Sequence, residues 1–516
     1  MLALGLLILV VTALAPPPAG LGPAGLVTLG VLATMALWWF TETLPETATA
    51  LLPFVVLPAT GAGKLAEVAA SYMSPIIFLV LGGALLALAM EKSGLHRRLA
   101  VGVLARAGTA PGRLVFAFMG VTAFLSMWVS NTSTSLIMMP IAVSVLAAVL
   151  PASPRRSAGE RHFALTLVLG IAYAASIGGL GTLIGSPTNA IAAGVIERTL
   201  GVKIGFLQWL AVGIPLVLVS IPLAWWVLTR IAYPFALPAF DRAQLLAAIG
   251  PQARWTTAER RLLPVIGGAA IAWVVLPLLK IPALAGIEDS SIAILAALLL
   301  FVIPAGDDAT RTASPVDRRD APGAGVEIER PELAARVGLP DASRQGPLSD
   351  PEPAGAPTGT LLEWRDTERA PWDVLFLFGG GLALAEAITR TGLGTWLGAW
   401  IGGAATLPMP VFVVLVTLVV IVVTEFASNV AAAASFIPVV AGVTVALGLD
   451  PLVLTLPAAM AASWGFMMPA GTPPNAIAYA TGYVTVPQMI RAGIWIDVLG
   501  LLVIPAVVAF AVAAFL

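Results

Sequence analysis

Ser130-Asn131-Thr132-Ser133-Thr134-Ser135 interrupts the apolar stretch 112–149, and Thr424-Glu425-Phe426-Ala427-Ser428-Asn429 interrupts the apolar stretch 408–445. Each stretch has about 38 residues, whereas one membrane-crossing helix needs about 20. A helix that enters the membrane, a polar turn and a helix that returns account for this pattern. Such a break is tolerated only where it faces a cavity or other protein. We therefore predict two re-entrant helical hairpins.

The composition of the whole chain is that of a membrane protein. Of its 516 residues, 59% are hydrophobic and 11% are charged, against about 25% charged residues in a soluble domain. Residues 305–370 hold 21 of the 55 charged residues, and we predict that they form a disordered cytoplasmic loop. The net charge of −1 argues against a nucleic-acid partner. The chain has no Cys, which excludes disulfides and zinc–thiolate sites, and we expect His96 and His162 to be solvated loop residues rather than a metal pair.

Eleven further apolar stretches are predicted to cross the lipid bilayer. The predicted fold class is therefore an all-α membrane protein with about 11 transmembrane helices plus the two hairpins. We interpret Met1–Ala15 as a short first membrane helix rather than a cleaved leader, because it lacks a basic start. The predicted spans are 2–15, 20–40, 44–60, 74–90, 163–196, 207–231, 260–279, 288–304, 372–389, 452–482 and 490–515.

The chain contains an internal repeat. Phe376 in Leu375–Gly381 lies 298 positions after Phe78 in Ile77–Gly83, and Ser428-Asn429 lies 298 positions after Ser130-Asn131. Gly471-Thr472-Pro473-Pro474-Asn475 then follows Gly185-Ser186-Pro187-Thr188-Asn189 by 286 positions. Basic residues crowd the loops around the first hairpin, whereas the loops around the second hold only Arg390. By the positive-inside rule the hairpins enter from opposite faces, so the repeats are inverted, a common plan in secondary transporters. The same rule places the N-terminus in the cytoplasm and the C-terminus outside.

Four polar breaks carry the predicted chemistry: the two hairpin tips and the two Gly-[Ser/Thr]-Pro-x-Asn segments. Pro and Gly unwind a helix, which frees carbonyl oxygens to join Ser, Thr and Asn side chains around a small cation. The helix that restarts after each break presents unpaired N–H groups to an anion. None of the four breaks contains Lys, Arg or His, so the charge of a bound anion must be balanced by dipoles and co-bound cations. Anion affinity would then depend on the cations.

Several acidic residues are also predicted in or near the membrane, where carboxylates are functional candidates. Glu42 and Glu46 are interpreted as helix-end residues. Glu425 adjoins the second tip and is predicted to be either a support for the site or a proton site. The remaining two are Glu386 and Asp497.

At these residues the sequence resembles the divalent anion/sodium symporter (DASS) family of sodium-coupled dicarboxylate and citrate carriers and related exchangers. The resemblance rests on both tips, on both Gly-[Ser/Thr]-Pro-x-Asn breaks and on Trp39-x-Thr41-Glu42-x-x-Pro45. It implies an elevator-type homodimer with sodium as the co-transported ion. The implied domains are a scaffold (1–111 and 260–407) and a transport domain (112–259 and 408–516).

The resemblance also implies which residues bind the substrate and the ions. The substrate would contact the hairpin tips and the unwound helices, namely Ser130, Asn131, Thr132, Ser186, Pro187, Ser428, Asn429, Thr472 and Pro473. The first sodium site would comprise Ser126, Ser130, Asn131 and Gly185, and the second Thr424, Ala427, Asn429 and Gly471. The chain departs from the family pattern at Val430, where the second tip lacks a threonine hydroxyl.

The expected function is sodium-coupled symport of a small divalent anion across a bacterial-type inner membrane, the anion being a C4-dicarboxylate such as succinate, malate or fumarate, or citrate. A dicarboxylate exchanger, a proton-coupled anion carrier and an arsenite or metalloid oxyanion efflux permease are the alternatives. The chain lacks HExxH and GxSxG motifs and a nucleophile–base pair, so we do not expect an enzyme.

Overall fold

The computed structural model describes residues 1–150, 156–251, 254–279, 281–284, 286–306, 359–401 and 407–515, and its regular elements in these ranges are helices without a named strand. The helices of the first half are α1 (Leu2–Leu14), α2 (Pro23–Phe40), α3 (Glu46–Ala50), α4 (Leu52–Ala59), α5 (Leu65–Ser71), α6 (Pro75–Ser93), α7 (Leu95–Leu104), α8 (Pro111–Ser126), α9 (Asn131–Val149), α10 (Ala158–Gly179), α11 (Pro187–Leu200), α12 (Phe206–Val227, extended by a π-helical turn Leu228–Ala232) and α13 (Arg242–Ile249).

In its described residues the second half has nine α-helices, and the last seven follow the order of α6–α12 in the first half. The nine helices are α14 (Thr257–Leu279), α15 (Asp289–Val302), α16 (Trp372–Arg390), α17 (Leu393–Ile401), α18 (Met409–Phe426), α19 (Asn429–Ala446), α20 (Pro451–Ala461), α21 (Pro473–Ala480) and α22 (Val486–Phe515), with short 3-10 helices at Pro282–Leu284 and Trp364–Arg369. The predicted all-α class is confirmed.

Ten helical segments of the described chain are long and apolar enough to cross a membrane. Their outer faces carry large exposed hydrophobic side chains such as Leu218, Leu295 and Leu502, as expected of a surface that lipid covers. Shorter apolar helices, including α1 and α15, coincide with the predicted spans 2–15 and 288–304. These two helices therefore lie where the hydropathy of the sequence predicts spans.

The internal repeat is visible in the helix boundaries. The starts of α9 and α19 are 298 positions apart, and so are those of α7 and α17. α6 and α16 are followed by Gly94 and Gly392, also 298 positions apart, whose φ values of 78° and 72° lie in the left-handed region that glycine adopts without strain. The same backbone turn thus leads into both short helices, α7 and α17.

Two predictions about polar segments are wrong. Residues 359–370, which we assigned to the disordered loop 305–370, are ordered: Leu361 and Leu362 are buried and Thr360 pairs with Pro304. Residues 307–358 of that loop lie outside the described residues. His96 is not a solvated loop residue, because it is buried in α7 with Nδ1 2.8 Å from the carbonyl oxygen of Met90. His162 also lies in a helix, α10, where it is partly buried.

Asp366 fastens the ordered end of the loop to α6. Its carboxylate accepts hydrogen bonds from Lys92 Nζ (2.6 Å) and from the backbone N–H of Glu363 (2.8 Å). Burial raises the pKa of Asp366, but these two donors and the Lys92 charge outweigh it, so the pKa lies below its ordinary value.

The two halves of the chain meet through the broken helices. α10 packs against both arms of the first hairpin, α8 and α9, and also against α21 of the second half. In the other direction α11 packs against α19 and α20. The helix breaks of the two repeats therefore lie close together.

A buried ion pair holds α7 against α14. Arg98 Nε lies 2.7 Å from Glu259 Oε1, and their side chains are only 6% and 4% exposed. The Arg98 guanidinium also stacks on Trp255, 4.7 Å from the ring centre. The basic and amphipathic sequence of residues 94–106 predicts a helix along the membrane surface, yet Arg98 in this helix faces protein.

We predict that Arg98→Met lowers the free energy of unfolding by about 3–5 kcal/mol, because it leaves the Glu259 carboxylate buried without a countercharge. Thermal unfolding of the purified protein in detergent measures the effect. Lys64→Met is the matched control, since Lys64 pairs with Glu67 at an exposed site. An Arg98→Met protein as stable as the control would contradict the prediction.

Candidate ion and anion site

The two hairpin tips are built in the same way. α8 ends at Ser126, and α9 begins after Ser130, whose Oγ accepts a hydrogen bond from the N–H of Ser133 (3.2 Å). In the second hairpin, Ser428 Oγ accepts the N–H of Ala431 at the start of α19 (3.2 Å). Serine at the N-cap satisfies an N–H group that has no partner within the helix. The Ser-Asn pair of each tip therefore sets where the returning helix starts.

Oxygen atoms from three chain segments surround Asn131. Its Oδ1 lies 2.7 Å from Ser126 Oγ, and that hydroxyl is also 2.7 Å from the carbonyl oxygen of Ala175. The carbonyl oxygens of Ala175 and Gly185 lie 3.1 and 3.3 Å from the same position of the Asn131 amide. We call these four groups the first oxygen cage. They join the first hairpin to the break between α10 and α11.

The second oxygen cage repeats this arrangement around Asn429. Thr424 Oγ1 lies 2.8 Å from both Asn429 Oδ1 and the carbonyl oxygen of Ala462. The carbonyl oxygens of Ala462 and Gly471 both lie 3.3 Å from the same amide position. Thr424 and Asn429 follow Ser126 and Asn131 by 298 positions, and Gly471 follows Gly185 by 286. The sequence repeat is thus also a repeat of side-chain geometry.

Each asparagine amide has its hydrogen bonds satisfied within its cage in only one orientation. With Oδ1 facing the cage, the amide oxygen meets other oxygen atoms alone, and a small hard cation would have to lie among them. With the amide turned by half a rotation, the NH2 group of Asn131 donates to the carbonyl oxygens of Ala175 and Gly185 and to Ser126 Oγ. Asn429 makes the equivalent three contacts in its own cage. The cage carbonyls therefore have a hydrogen-bond partner in the protein whenever the amide nitrogen faces them.

Two further asparagines close the helix breaks. Asn189 Nδ2 donates to the carbonyl oxygens of Gly179 and Thr182, both at 2.8 Å. Asn475 Nδ2 donates to Gly465 (3.2 Å) and Met468 (3.1 Å), and all three residues follow their first-repeat counterparts by 286 positions. Carbonyl groups that unwinding releases inside the protein need such donors.

The two breaks are also joined to each other. The hydroxyls of Thr188 and Ser463 lie 2.5 Å apart, and both side chains are buried. Tyr173 in α10 donates its hydroxyl to the carbonyl oxygen of Phe466 (3.0 Å). The site is therefore one structure made from both repeats.

The remaining predicted site residues lie at the starts of the helices that follow the breaks. Ser130 is exposed, and its hydroxyl pairs with Ser133 rather than with the first cage. Ser186 and Pro187 begin α11, whereas Thr472 and Pro473 begin α21, where Thr472 Oγ1 accepts the N–H of Asn475 (3.2 Å). Thr132 lies in the first turn of α9, and Ala427 is a buried residue of extended backbone between Thr424 and the second tip.

Glu425 organises the second break. Its carboxylate accepts three backbone hydrogen bonds, from Phe466 (2.6 Å), Met467 (2.8 Å) and Met468 (3.1 Å). Asp497 on α22 is buried beside Glu425, and neither of its oxygens accepts a hydrogen bond from a backbone group of the described chain. Two adjacent carboxylates repel each other in a buried site when both are charged. The three N–H contacts agree with the predicted supporting role of Glu425, and the proton site stays a prediction.

Sequence reasoning missed some members of the site. The carbonyls of Ala175 and Ala462 are backbone groups, which leave no residue-type signal in a sequence. Asn189 and Asn475 were visible in the repeated breaks, but their role in pairing released carbonyls requires the fold. Within the described residues no group of three or more His, Asp or Glu could hold a metal ion.

Known proteins were compared with the chain. The family model "Sodium:sulfate symporter transmembrane region" matches residues 1–513. The sodium-dependent dicarboxylate transporter SdcS of Staphylococcus saprophyticus is 35% identical over 517 residues, which cover 99% of this chain and 91% of that protein. SdcS of Staphylococcus aureus is 33% identical over 513 residues, or 98% and 90% of the two chains.

Two solved structures share the fold. The Alcanivorax borkumensis YdaH transporter has a TM-score of 0.55 at 14% identity and covers 94% of this chain and 99% of its own. Neisseria gonorrhoeae MtrF, described with a class of antimetabolite efflux pumps, has a TM-score of 0.53 at 13% identity and covers 99% and 93%. At these identities the likeness concerns the helical architecture alone.

We predict that Glu425→Gln destabilises the protein by about 1–3 kcal/mol, because the new NH2 group must face backbone N–H donors that lose their acceptor. Thermal unfolding in detergent checks this, with Glu197→Gln as the control because Glu197 is exposed. Equal stability of the two variants would show that the three N–H contacts are unimportant.

Proposed function

The chain belongs to the sodium:sulfate symporter family, and we propose that it takes up a C4-dicarboxylate such as succinate, malate or fumarate, or citrate, together with sodium ions. It is a multi-pass membrane transporter rather than an enzyme, and sodium is its co-transported ion. The named relatives are sodium-dependent dicarboxylate transporters that match almost the whole chain, which supports this substrate class.

The matched oxygen cages are the observation that carries the proposal. Each one combines an asparagine Oδ1, one hydroxyl and two backbone carbonyls, and such uncharged oxygens are what discontinuous transporter helices offer to sodium. In this proposal one ion is bound by Ser126, Asn131 and Gly185, and a second by Thr424, Asn429 and Gly471.

The anion would lie between the two tips, at the starts of α9, α11, α19 and α21. These helix ends present N–H groups and positive dipole ends, and the Ser and Thr hydroxyls around them add further donors. None of the breaks contains a basic side chain, so the two sodium ions supply the full charges opposite a dicarboxylate. The substrate residues in this proposal are Ser130, Asn131, Thr132, Ser186, Pro187, Ser428, Asn429, Thr472 and Pro473.

The asparagine amides would couple the ion to the anion. When sodium draws Oδ1 of Asn131 into the cage, the NH2 group of the same planar amide turns away from the cage carbonyls and toward the tip. There it can donate to a substrate carboxylate. Without sodium the cage carbonyls compete for the same NH2 group. Each ligand thus raises the affinity for the other, and this coupling is reciprocal.

The movement proposed for the substrate is that of an elevator. The transport domain (112–259 and 408–516), which holds all four breaks, would move against a scaffold (1–111 and 260–407) that forms the homodimer. The inverted repeats and re-entrant hairpins belong to this proposal, as do a cytoplasmic N-terminus and an external C-terminus. It is supported by the packing of the two breaks into one structure, which can move as a unit.

Uptake into proteoliposomes tests the function. We predict that labelled succinate accumulates when an inward sodium gradient is imposed, and that Asn131→Ala and Asn429→Ala each reduce initial uptake to about a tenth or less, because each removes a cage oxygen and a substrate donor together. Thr60→Ala serves as the control, since Thr60 is exposed at the end of α4.

Gradients of internal succinate and of protons distinguish the alternative transport mechanisms. Uptake that needs internal succinate but not sodium would identify an exchanger, and uptake that follows an imposed proton gradient would identify a proton-coupled carrier. Either result would overturn the sodium-coupled proposal.

Val430 supplies a test of the anion site alone. We predict that Val430→Thr lowers the KM for succinate about two- to fivefold, because it adds at the second tip the hydroxyl that Thr132 has at the first. At saturating succinate, the dependence of uptake on sodium concentration is expected to stay unchanged. Val445→Thr, on the exposed face of the same helix, is the control. An unchanged KM would place residue 430 outside the anion site.

A further inference from the structure

A carboxylate of the protein already occupies the second hairpin tip. Ser428 Oγ donates a hydrogen bond to Glu46 Oε1 at 2.5 Å. The same oxygen of Ser428 accepts the N–H of Ala431, so Ser428 is the N-cap of α19. The Glu46 carboxylate therefore lies at the positive end of a long helix, a position that favours an anion.

Glu46 is held in place by its own part of the fold. The prediction that Glu42 and Glu46 are helix-end residues is confirmed, since Glu42 follows α2 and Glu46 begins α3. Trp39 Nε1 donates to the carbonyl oxygen of Glu46 (3.0 Å), and α3 packs against α2 and α16. These helices belong to the proposed scaffold, whereas Ser428 belongs to the proposed transport domain. The contact therefore joins the two domains.

The first tip differs in this respect. Ser130, the counterpart of Ser428, donates its hydroxyl to Ser133 Oγ (3.1 Å) and is exposed. The sequence repeat is symmetric at these serines, but among the described residues a carboxylate contacts the serine of the second tip and not that of the first. The two tips also differ at a second residue. The second tip, which contacts Glu46, has Val430 where the first tip has Thr132 with its hydroxyl.

We propose that Glu46 is an affinity-setting residue whose carboxylate competes with a carboxylate of the transported anion for Ser428 and the N-terminus of α19. This inference rests on the proposed function. The side chain mimics the chemistry of a dicarboxylate end group and is tethered to the scaffold, so substrate must displace it to bind at the second tip. Displacement also breaks a contact between the domains, which links anion binding to the release of the transport domain.

The test compares Glu46→Gln and Glu46→Ala with the original protein in sodium-driven succinate uptake. We predict that both variants lower the KM for succinate about threefold to tenfold, the scale of one charge-assisted hydrogen bond that no longer competes. A succinate titration monitored by thermal unfolding measures binding without any transport step. It should show the same shift in the apparent Kd for succinate. Glu42→Gln, in the same turn but exposed, should change neither value.

A second control separates competition from loosening of the domains. Glu386 on α16 pairs with Arg198 on α11 at 2.9 Å, which also joins the proposed scaffold to the proposed transport domain, but away from the tip. Glu386→Gln should therefore leave the KM within about twofold, since it frees no donor at Ser428.

The outcomes are distinguishable. If the original protein shows no sodium-driven uptake of a dicarboxylate, the proposed function fails. If it does transport, the inference about Glu46 is wrong when Glu46→Gln leaves the KM unchanged or raises it, and also when Glu386→Gln lowers the KM equally.

Discussion

The structure depends on one constraint: a backbone polar group released inside an apolar protein must find a partner within that protein. Breaking four helices releases many such groups, and the described contacts show where they go. Asn189 and Asn475 pair released carbonyls, Glu425 accepts three released N–H groups, and Ser130 and Ser428 cap the helices that restart. The carbonyls of Ala175, Gly185, Ala462 and Gly471 remain around the two asparagine amides. The proposed ion site is therefore made from the same backbone groups that the helix breaks release.

Much of this arrangement could be predicted, because the signals are local and occur twice. An apolar stretch of twice the usual length with a Ser-Asn pair at its centre predicts a hairpin tip, and the 298-position repeat predicts that the second tip is built like the first. What could not be predicted depends on contacts between distant segments. Backbone carbonyls such as those of Ala175 and Ala462 have no residue-type signature. Glu46 reaches Ser428 from 382 positions away, so its role at the tip required the fold.

The errors have a common physical cause, which is that polar residues can be buried when they have partners. His96 and Arg98 look solvated in a basic amphipathic stretch, but Met90 and Glu259 provide hydrogen-bond partners inside the protein. Residues 359–370 have the composition of a loop, yet Leu361 and Leu362 of this segment are buried. Its Asp366 also accepts a hydrogen bond from Lys92. Composition alone does not reveal such partners.

The two orientations of the asparagine amides bear on whether the protein can carry out net transport rather than exchange. Carbonyls that can accept from a turned amide need neither an ion nor water to be satisfied. In the proposed elevator movement, the unloaded site would therefore cross the bilayer at a low cost of desolvation. If the empty pocket required water, the transporter would return only after it bound a substrate on the other side of the membrane. It would then act as an exchanger. A pocket whose carbonyls are satisfied without ligands would let the empty transporter return across the bilayer. This return is the kinetic condition for net accumulation of a substrate against its gradient rather than exchange.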